Sequence, residues 1–442
     1  MTSVVDLTAD GQLLVERIRD RSARIGVVGL GYVGLPTAVA YADAGFTVVG
    51  IDTDADRCAA VGEGESYVED VASTDVRRVR DQGRLTAVRA VSAAGDLDVV
   101  DICVHTPLGN TREPDTSAIE AVGEALVASQ RPGQLIMLTS TSYPGTTEEI
   151  LRPILERSGL VIGRDFFLAF APERLDPANR AFTLRNTPKV VGGVDPVSTE
   201  IARIALSSIV DVVVPVHDAT TAEMVKILEN AFRMVNIGFA NEVAQICNRL
   251  GIDVWEVIDS AATKPYGFMP FYPGPGVGGH CIPVDPAYLE WKMRNLEFRT
   301  RFIDLGNDVN RGMPDYVVQR ANEVLNDIGH SMRGSRILLV GVAYKPNIGD
   351  IRESPAIEVA AKLLRRGALV RYADPHVPAL MIHGGAAVPR VELTASELEA
   401  SELVVITTRH DAIDWELVRE HAALVLDTRG VRAQGRSGWH TL

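Results

Sequence analysis

Cysteine is scarce in this chain: Cys58, Cys103, Cys247 and Cys281 are the only four in 442 residues. Thiols this few and this scattered supply neither a disulfide framework nor a zinc ligand set, so no metal is expected. Long apolar runs are missing too, since none approaches the roughly 20 residues that span a bilayer. Positive charge is the third shortage. With 44 Lys and Arg against 58 Asp and Glu, the formal charge is -14, which argues against nucleic acid or an anionic membrane surface as the main partner. A local basic pocket for a phosphate stays open. The amino end lacks a charged-then-apolar signal design, and "ADGQLLVERIRDR" reads instead as a short amphipathic helix, so a cytoplasmic location is expected.

What is present is an ordinary globular balance, 46% apolar and 23% charged, in a chain long enough for two or three domains. Cys103, inside "LDVVDICVHT", and Cys247, in a helical run, read as small core residues. Cys58 falls on a helix soon after a strand. Cys281 alone sits among loop chemistry, in "GPGVGGHCIPVDP".

From Arg24 short apolar runs alternate with helical patterns: "RIGVVGLG", "FTVVGID", "LDVVDICVHT", "QLIMLTST", "FFLAFAPE" and "PKVVGG". Several are too evenly apolar for one-faced strands, which predicts a parallel sheet covered on both sides and ending near Pro215. His217 to Leu250 then reads as one long helix, of the kind that links domains or forms a subunit interface. Alternation resumes with "RILLVGVAY", "SPAIEVAAKLLRRG", "LVRYADP", "ELVVITTRHD" and "ALVLDTRG". The expected class is α/β: two Rossmann-like doubly wound domains joined by a long central helix and a helical middle segment.

Gly29, Gly31 and Gly34 form "GLGYVG" between an apolar strand and a helix-like run, with Tyr32 and Val33 inside it. The first glycine permits a tight turn, the second lets a pyrophosphate approach the backbone, and the third lets helix pack on strand. The next strand ends in "VVGID", placing Asp52 where a carboxylate accepts the adenosine ribose hydroxyls and repels a 2'-phosphate. NAD is therefore expected over NADP. "HTP" (Thr106, Pro107) and "STSYPGTT" (Ser140, Thr141) follow strands and are placed to line the nicotinamide end of the cleft, or serve as plain turns.

A thiol with a pKa near about 8.5 becomes a good nucleophile when cations or backbone amides stabilise its thiolate. The glycines around Cys281 let N–H groups converge, and the prolines stiffen the loop. On the long helix "EMVKILENAF" stacks Glu223, Lys226 and Asn230 along one face, so that an ammonium and an amide can meet a developing oxyanion. "APERL" adds Glu173 beyond a strand, and the thiol loop adds Asp285. A carboxylate and a thiol beside a nicotinamide are the parts of an aldehyde-dehydrogenase type of reaction.

Taken in order, "GLGYVGLP", "STSYPGTT", "APER", "EMVKILEN", "GPGVGGHCIPVDP" and "AYKPNIGDIRESPA" resemble the nucleotide-sugar 6-dehydrogenases, the UDP-glucose and UDP-N-acetylhexosamine dehydrogenase family. The resemblance covers nearly the whole chain. It implies a four-electron oxidation of a sugar 6-hydroxyl to a carboxylate, with two NAD and one water consumed. Cys281 would hold the aldehyde and then the thioester, Lys226 and Asn230 would stabilise oxyanions, Asp285 would support the lysine or the water, and Thr141 and Glu173 would position water or exchange protons. NAD would lie on Gly29, Gly31, Tyr32, Val33, Gly34, Asp52, Thr106 and Thr141. The nucleotide sugar would meet Glu173, Arg174, Lys226, Asn230, Arg233, Phe271, Tyr272, Gly276, Gly279, Tyr344, Lys345 and Arg352.

The domains so implied are an extension (1–22), an NAD-binding domain (23–216), a central helical domain with the thiol loop (217–331) and a nucleotide-sugar domain (332–442). A homodimer or larger homo-oligomer is expected. Val284, where the UDP-glucose branch commonly carries lysine, makes the chain look closer to the N-acetylhexosamine branch. The base, UDP or dTDP, and the hexose stay open. An epimerase or two-electron dehydrogenase, and a non-catalytic nucleotide-sugar sensor, are the competing readings.

Overall fold

Strand β1 (Arg24–Val28) is buried at every residue but its first, which demands an apolar layer on both faces. Both exist. Ile25 and Val27 join one core with Leu35 and Ala38, while Val28 joins another with Ile102 and Ile119 on the opposite face. Burying each such aliphatic side chain contributes about 1.5–3 kcal/mol. The computed structural model describes residues 6–442 apart from 110–111, 177–178, 180, 280–281, 383 and 432–435. By its contacts the chain divides into two units, Met1–Glu229 with Ala287–Leu296, and Asn230–Pro286 with Glu297–Leu442.

The first unit holds β1, β2 (Thr47–Ile51), β3 (Leu85–Val88), β4 (Val99–Ile102), β5 (Leu135–Leu138), β6 (Phe167–Phe170), β7 (Lys189–Gly193) and β8 (Val213–Pro215). They form one sheet in the order β3-β2-β1-β4-β5-β6-β7-β8, parallel except where β6 meets β7. The chain order reverses across β1, so the crevice beyond the carboxyl ends of β1 and β4 is the place for a ligand. The six apolar runs read from the sequence are all strands here. β3 and β8 escape that reading because, beyond Leu85, they are poorly buried. The amino-terminal helix runs Ala9–Arg19 and is capped by the Thr8 hydroxyl.

The second unit repeats the principle with β9 (Arg336–Val340), β10 (Leu369–Ala373), β13 (Leu403–Ile406), β14 (Val425–Asp427) and β15 (Trp439–Thr441), all parallel, in the order β10-β9-β13-β14-β15. A small antiparallel pair, β11 (Leu380–Met381) and β12 (Ala387–Val388), stands apart. Ile337 and Leu339 face one core and Leu338 and Val340 the other. Here the reversal falls between β9 and β13.

The long helix is Ala219–Leu250, 32 residues or about 48 Å, and the division between the units falls within it. In the second unit it is crossed by the helix Arg301–Asp327. The crossing is so close that a Cβ on Gly238 would lie 2.9 Å from the Gly306 carbonyl oxygen. Among the described residues no helix is long and apolar enough to cross a membrane.

Candidate active site

The turn after β1 is set by sterics. A Cβ on Gly29 would stand 2.5 Å from the Cys103 carbonyl oxygen, and one on Gly34 would stand 1.7 Å from that of Gly29, so helix Gly34–Asp43 can begin only because both are glycine. Gly31 differs: nothing lies nearer its missing Cβ than the Arg57 Nη1 at 4.0 Å. That open side fits a diphosphate approaching the backbone at a helix amino end. Tyr32 is exposed and Val33 half-buried beside it. Asp52, buried at the end of β2, accepts the Leu30 N–H at 2.7 Å and the Asp54 N–H at 2.9 Å. Its carboxylate also meets the Arg57 guanidinium at 3.3 Å.

Beyond β4 and β5 the two candidate loops are joined. The Thr106 hydroxyl donates to the Thr141 carbonyl at 2.6 Å, and the Ser140 hydroxyl donates to the Val104 carbonyl at 2.8 Å. The Tyr288 hydroxyl donates to the Thr106 carbonyl from the helix Asp285–Asn295. Glu223, which the sequence groups with Lys226 and Asn230, serves this region instead. Its buried carboxylate accepts the N–H groups of Gly145 and Thr147 and the Thr147 hydroxyl. Burial pushes it up to about 7 against the pull of those three donors. Lys226, one turn on, is buried at 8% exposure.

Glu173 lies beyond β6 with 12% of its side chain exposed, and its Oε2 accepts from Lys189 Nζ at 3.0 Å. Its Oε1 accepts the N–H groups of Arg174 and Leu175 at 2.7 and 2.9 Å. Burial alone would raise this carboxyl, but the Lys189 charge and the N–H donors outweigh it and hold the group below its usual value. Arg174 is committed to Glu229 through two nitrogens, at 2.5 and 3.3 Å, and to the Pro188 carbonyl.

In the second unit, Asn230 donates its side-chain N–H to Asp285. Asp285, read from the sequence as a loop residue, is the first residue of its helix and 3% exposed. His280 and Cys281 lie outside the described residues. The stretch ahead of them is seated closely: the Gly279 N–H donates to the Arg352 carbonyl at 3.0 Å, and a Cβ on Gly279, at φ +84°, would lie 2.7 Å from the Tyr344 ring. Gly276 is buried. The Gly274 N–H donates to Asn241 Oδ1 at 2.9 Å, and Asn241 donates to Asn310 at 2.8 Å. Phe271 meets Phe232 edge-on at 5.7 Å and Tyr272 stacks on Trp255 at 5.6 Å. Arg233 is exposed and Lys345 half-buried, while Arg352 pairs with Asp350 at 2.6 Å.

Sequence reasoning missed Arg429, two residues past the end of β14. Burial pulls its guanidinium down to about 10. Its Nε donates to the Thr407 carbonyl at 2.8 Å, and its Nη1 would lie 2.6 Å from a Cβ on Gly274. The signal available was "DTRG" directly after an apolar strand.

A glycine cradle with a ribose-type carboxylate, and a second doubly wound domain against which the stretch 274–279 is seated, define the class of NAD-dependent dehydrogenases with a separate nucleotide domain. The chain belongs to the UDP-glucose/GDP-mannose dehydrogenase family: its NAD-binding, central and UDP-binding domain models match residues 23–209, 220–312 and 338–434. A UDP-N-acetyl-D-mannosamine dehydrogenase of Methanococcus maripaludis is 33% identical over 406 residues, covering 88% of this chain and 86% of that protein. An NDP-N-acetyl-D-galactosaminuronic acid dehydrogenase of Ralstonia nicotianae is 35% identical over 92% of this chain and 96% of its own. The solved structure of a UDP-D-ManNAc dehydrogenase from Pyrococcus horikoshii matches with a TM-score of 0.86 at 31% identity, over 95% of this chain and 98% of that one. The chain is thus an NAD-dependent nucleotide-sugar dehydrogenase.

Proposed function

We propose that the protein oxidises the 6-hydroxyl of a UDP-linked N-acetylhexosamine to a carboxylate in two steps through a Cys281 thioester. The observation that carries this reading is the Asn230 bond to Asp285. It joins the helix bearing Lys226 to Asp285, four positions past Cys281 in the sequence, so the Asn230 amide is oriented by a residue of the same motif. The names of the matched relatives and Val284 in place of lysine support the N-acetylhexosamine.

NAD, when bound on the glycine cradle and Asp52, supplies the hydride acceptor for both oxidations. The residues of the chain do the rest. The first oxidation releases one proton from the 6-hydroxyl and leaves an aldehyde. The Cys281 thiolate adds to that carbon, giving a thiohemiacetal whose oxygen receives hydrogen bonds from the Lys226 ammonium and the Asn230 amide. The thiohemiacetal oxyanion then expels a second hydride, which leaves a thioester. Water then breaks the C–S bond, releasing the carboxylate and the thiol. Glu173, with donors on both oxygens, suits holding that water with Thr141 better than exchanging protons. Lys345 and Arg352 would meet the diphosphate.

Counting NADH per sugar tests this. UDP-N-acetylmannosamine or UDP-N-acetylglucosamine should yield two, in a panel that includes UDP-glucose and the dTDP-linked sugars. A yield of one indicates a two-electron dehydrogenase, and none indicates an epimerase or a sensor. Cys281→Ser should bind NAD normally yet stall the second oxidation, and unchanged turnover would remove the thioester from the account.

The long helix also supports a homodimer. Phe232, Phe239 and Ile246 recur every seven residues on it at 48%, 61% and 47% exposure, followed by Leu250 at 67%. Such a stripe can pair with its own copy. Phe239→Glu should halve the mass measured by light scattering, and a monomeric wild type would refute the dimer.

A further inference from the structure

In the second unit, Asp374 follows β10 as Asp52 follows β2, and it too accepts a backbone N–H from the turn after the neighbouring strand: Val342, at 2.6 Å. Its other oxygen accepts the N–H groups of His376 and Val377 at 2.8 and 3.1 Å. Where a ribose would arrive, however, stands a histidine. His410 Nε2 lies 3.0 Å from Asp374 Oδ2, and both side chains are wholly buried.

The second ring nitrogen settles the tautomer. His410 Nδ1 accepts the Asn347 N–H at 2.9 Å, so the ring proton sits on Nε2 and is donated to Asp374. Asp411 holds the same asparagine by its side chain, donating its N–H to Asn347 Oδ1 at 2.8 Å and accepting from Nδ2 at 2.7 Å. Asn347 is thus gripped at three points. It needs to be, because it is held at φ +64°, a left-handed conformation that strains a residue with a Cβ. The loop it turns carries Tyr344, Lys345 and Arg352. That loop is anchored at its ends as well, by the Thr408 hydroxyl on the Ala343 carbonyl and the Ser354 hydroxyl on the Val342 carbonyl.

We propose that His410, oriented by Asp374 and assisted by Asp411, is a positioning residue for the nucleotide sugar: it locks the turn at Asn347 and so places Tyr344, Lys345 and Arg352 for a nucleoside diphosphate. This rests on the reading of that loop as the diphosphate site. The buried carboxylate orients an internal clamp where Asp52 has none.

Two substitutions at His410 separate its nitrogens. His410→Asn puts an amide oxygen near the Nδ1 position and can still accept from Asn347, whereas His410→Gln reaches Asp374 but offers Asn347 nothing. UDP binding by calorimetry should weaken tenfold or more in His410→Gln and only two- to threefold in His410→Asn, with NAD affinity unchanged in both. Should either fold poorly, Asp411→Ala at an exposed position provides the second measurement, with UDP weakened about threefold and the melting temperature preserved. UDP affinity unmoved by His410→Gln and Asp411→Ala, or UDP and NAD affinity falling together with the melting temperature, would overturn the positioning role. A wild type that binds NAD but no UDP would instead overturn the functional reading beneath it.

Discussion

The two doubly wound domains place an aspartate at the same point and use it in opposite ways. Asp52 keeps 7% of its surface exposed and shares its carboxylate with the half-exposed Arg57. Asp374 is sealed, its side chain wholly buried against His410. Burial pushes Asp374 up, but the His410 hydrogen bond and the Val342 N–H outweigh this and hold it at about 2. One strand-end carboxylate keeps a small exposed edge beside a half-exposed arginine, and the other is part of the framework. Fold homology within a chain therefore predicts where a site lies better than what the site holds.

Breaking the sealed member should have the larger effect. Asp374→Ala strands four backbone N–H groups and the His410 Nε2–H, and removing one partner from a buried charged network costs about 3–5 kcal/mol. Urea melts followed by tryptophan fluorescence, to which Trp415 contributes with its ring N–H donated to the His410 carbonyl at 3.1 Å, should show a midpoint far below wild type. A shift within error would mean that the carboxylate is dispensable to the fold.

The units should also differ in their response to pH. Asp374, lowered from 3.8 to about 2, contributes stability that is present above its unfolded value and lost as pH falls toward 2. Glu223, raised from 4.5 to about 7, works the other way: its contribution is complete below 4.5 and lost as pH rises to 7, a decline of at most about 3 kcal/mol. Glu223→Gln cannot ionise, so the decline between pH 5 and 7 should vanish from melts of the variant. An unchanged slope would assign it to another group.

The contrast also separates what could be read in the residues from what could not. Gly34 is legible because its steric demand, against the Gly29 carbonyl, acts within a few residues, and the evenly apolar strands are legible because burial on both faces leaves no polar alternation. Long-range pairings leave no such trace. His410 and Asp374 are 36 residues apart and Asn241 and Asn310 are 69 apart, and no local pattern marks either pair. The helical spacing of Glu223, Lys226 and Asn230 was readable, yet it did not show that Glu223 turns to the loop after β5 while Asn230 turns to Asp285. Asp285 itself was hidden by Pro283 and Pro286, which read as loop although Pro286 stands in the first turn of a helix, where its missing N–H costs nothing.

Opening the other member of the pair should cost affinity more than stability. Asp52→Ala strands two backbone N–H groups, those of Leu30 and Asp54, against four in Asp374→Ala, so the melting temperature should fall less. Losing the hydrogen bonds of a charged acceptor to a ribose should weaken NAD by about 1.5–3 kcal/mol, roughly ten- to a hundredfold. Arg57 changes the second half of the outcome. With the carboxylate gone its guanidinium loses its partner and can receive a 2'-phosphate, so the preference for NAD over NADP should narrow as well. Kinetics with both cofactors measure that ratio directly, and a ratio equal to that of the wild type would mean that Asp52 is framework, as Asp374 is.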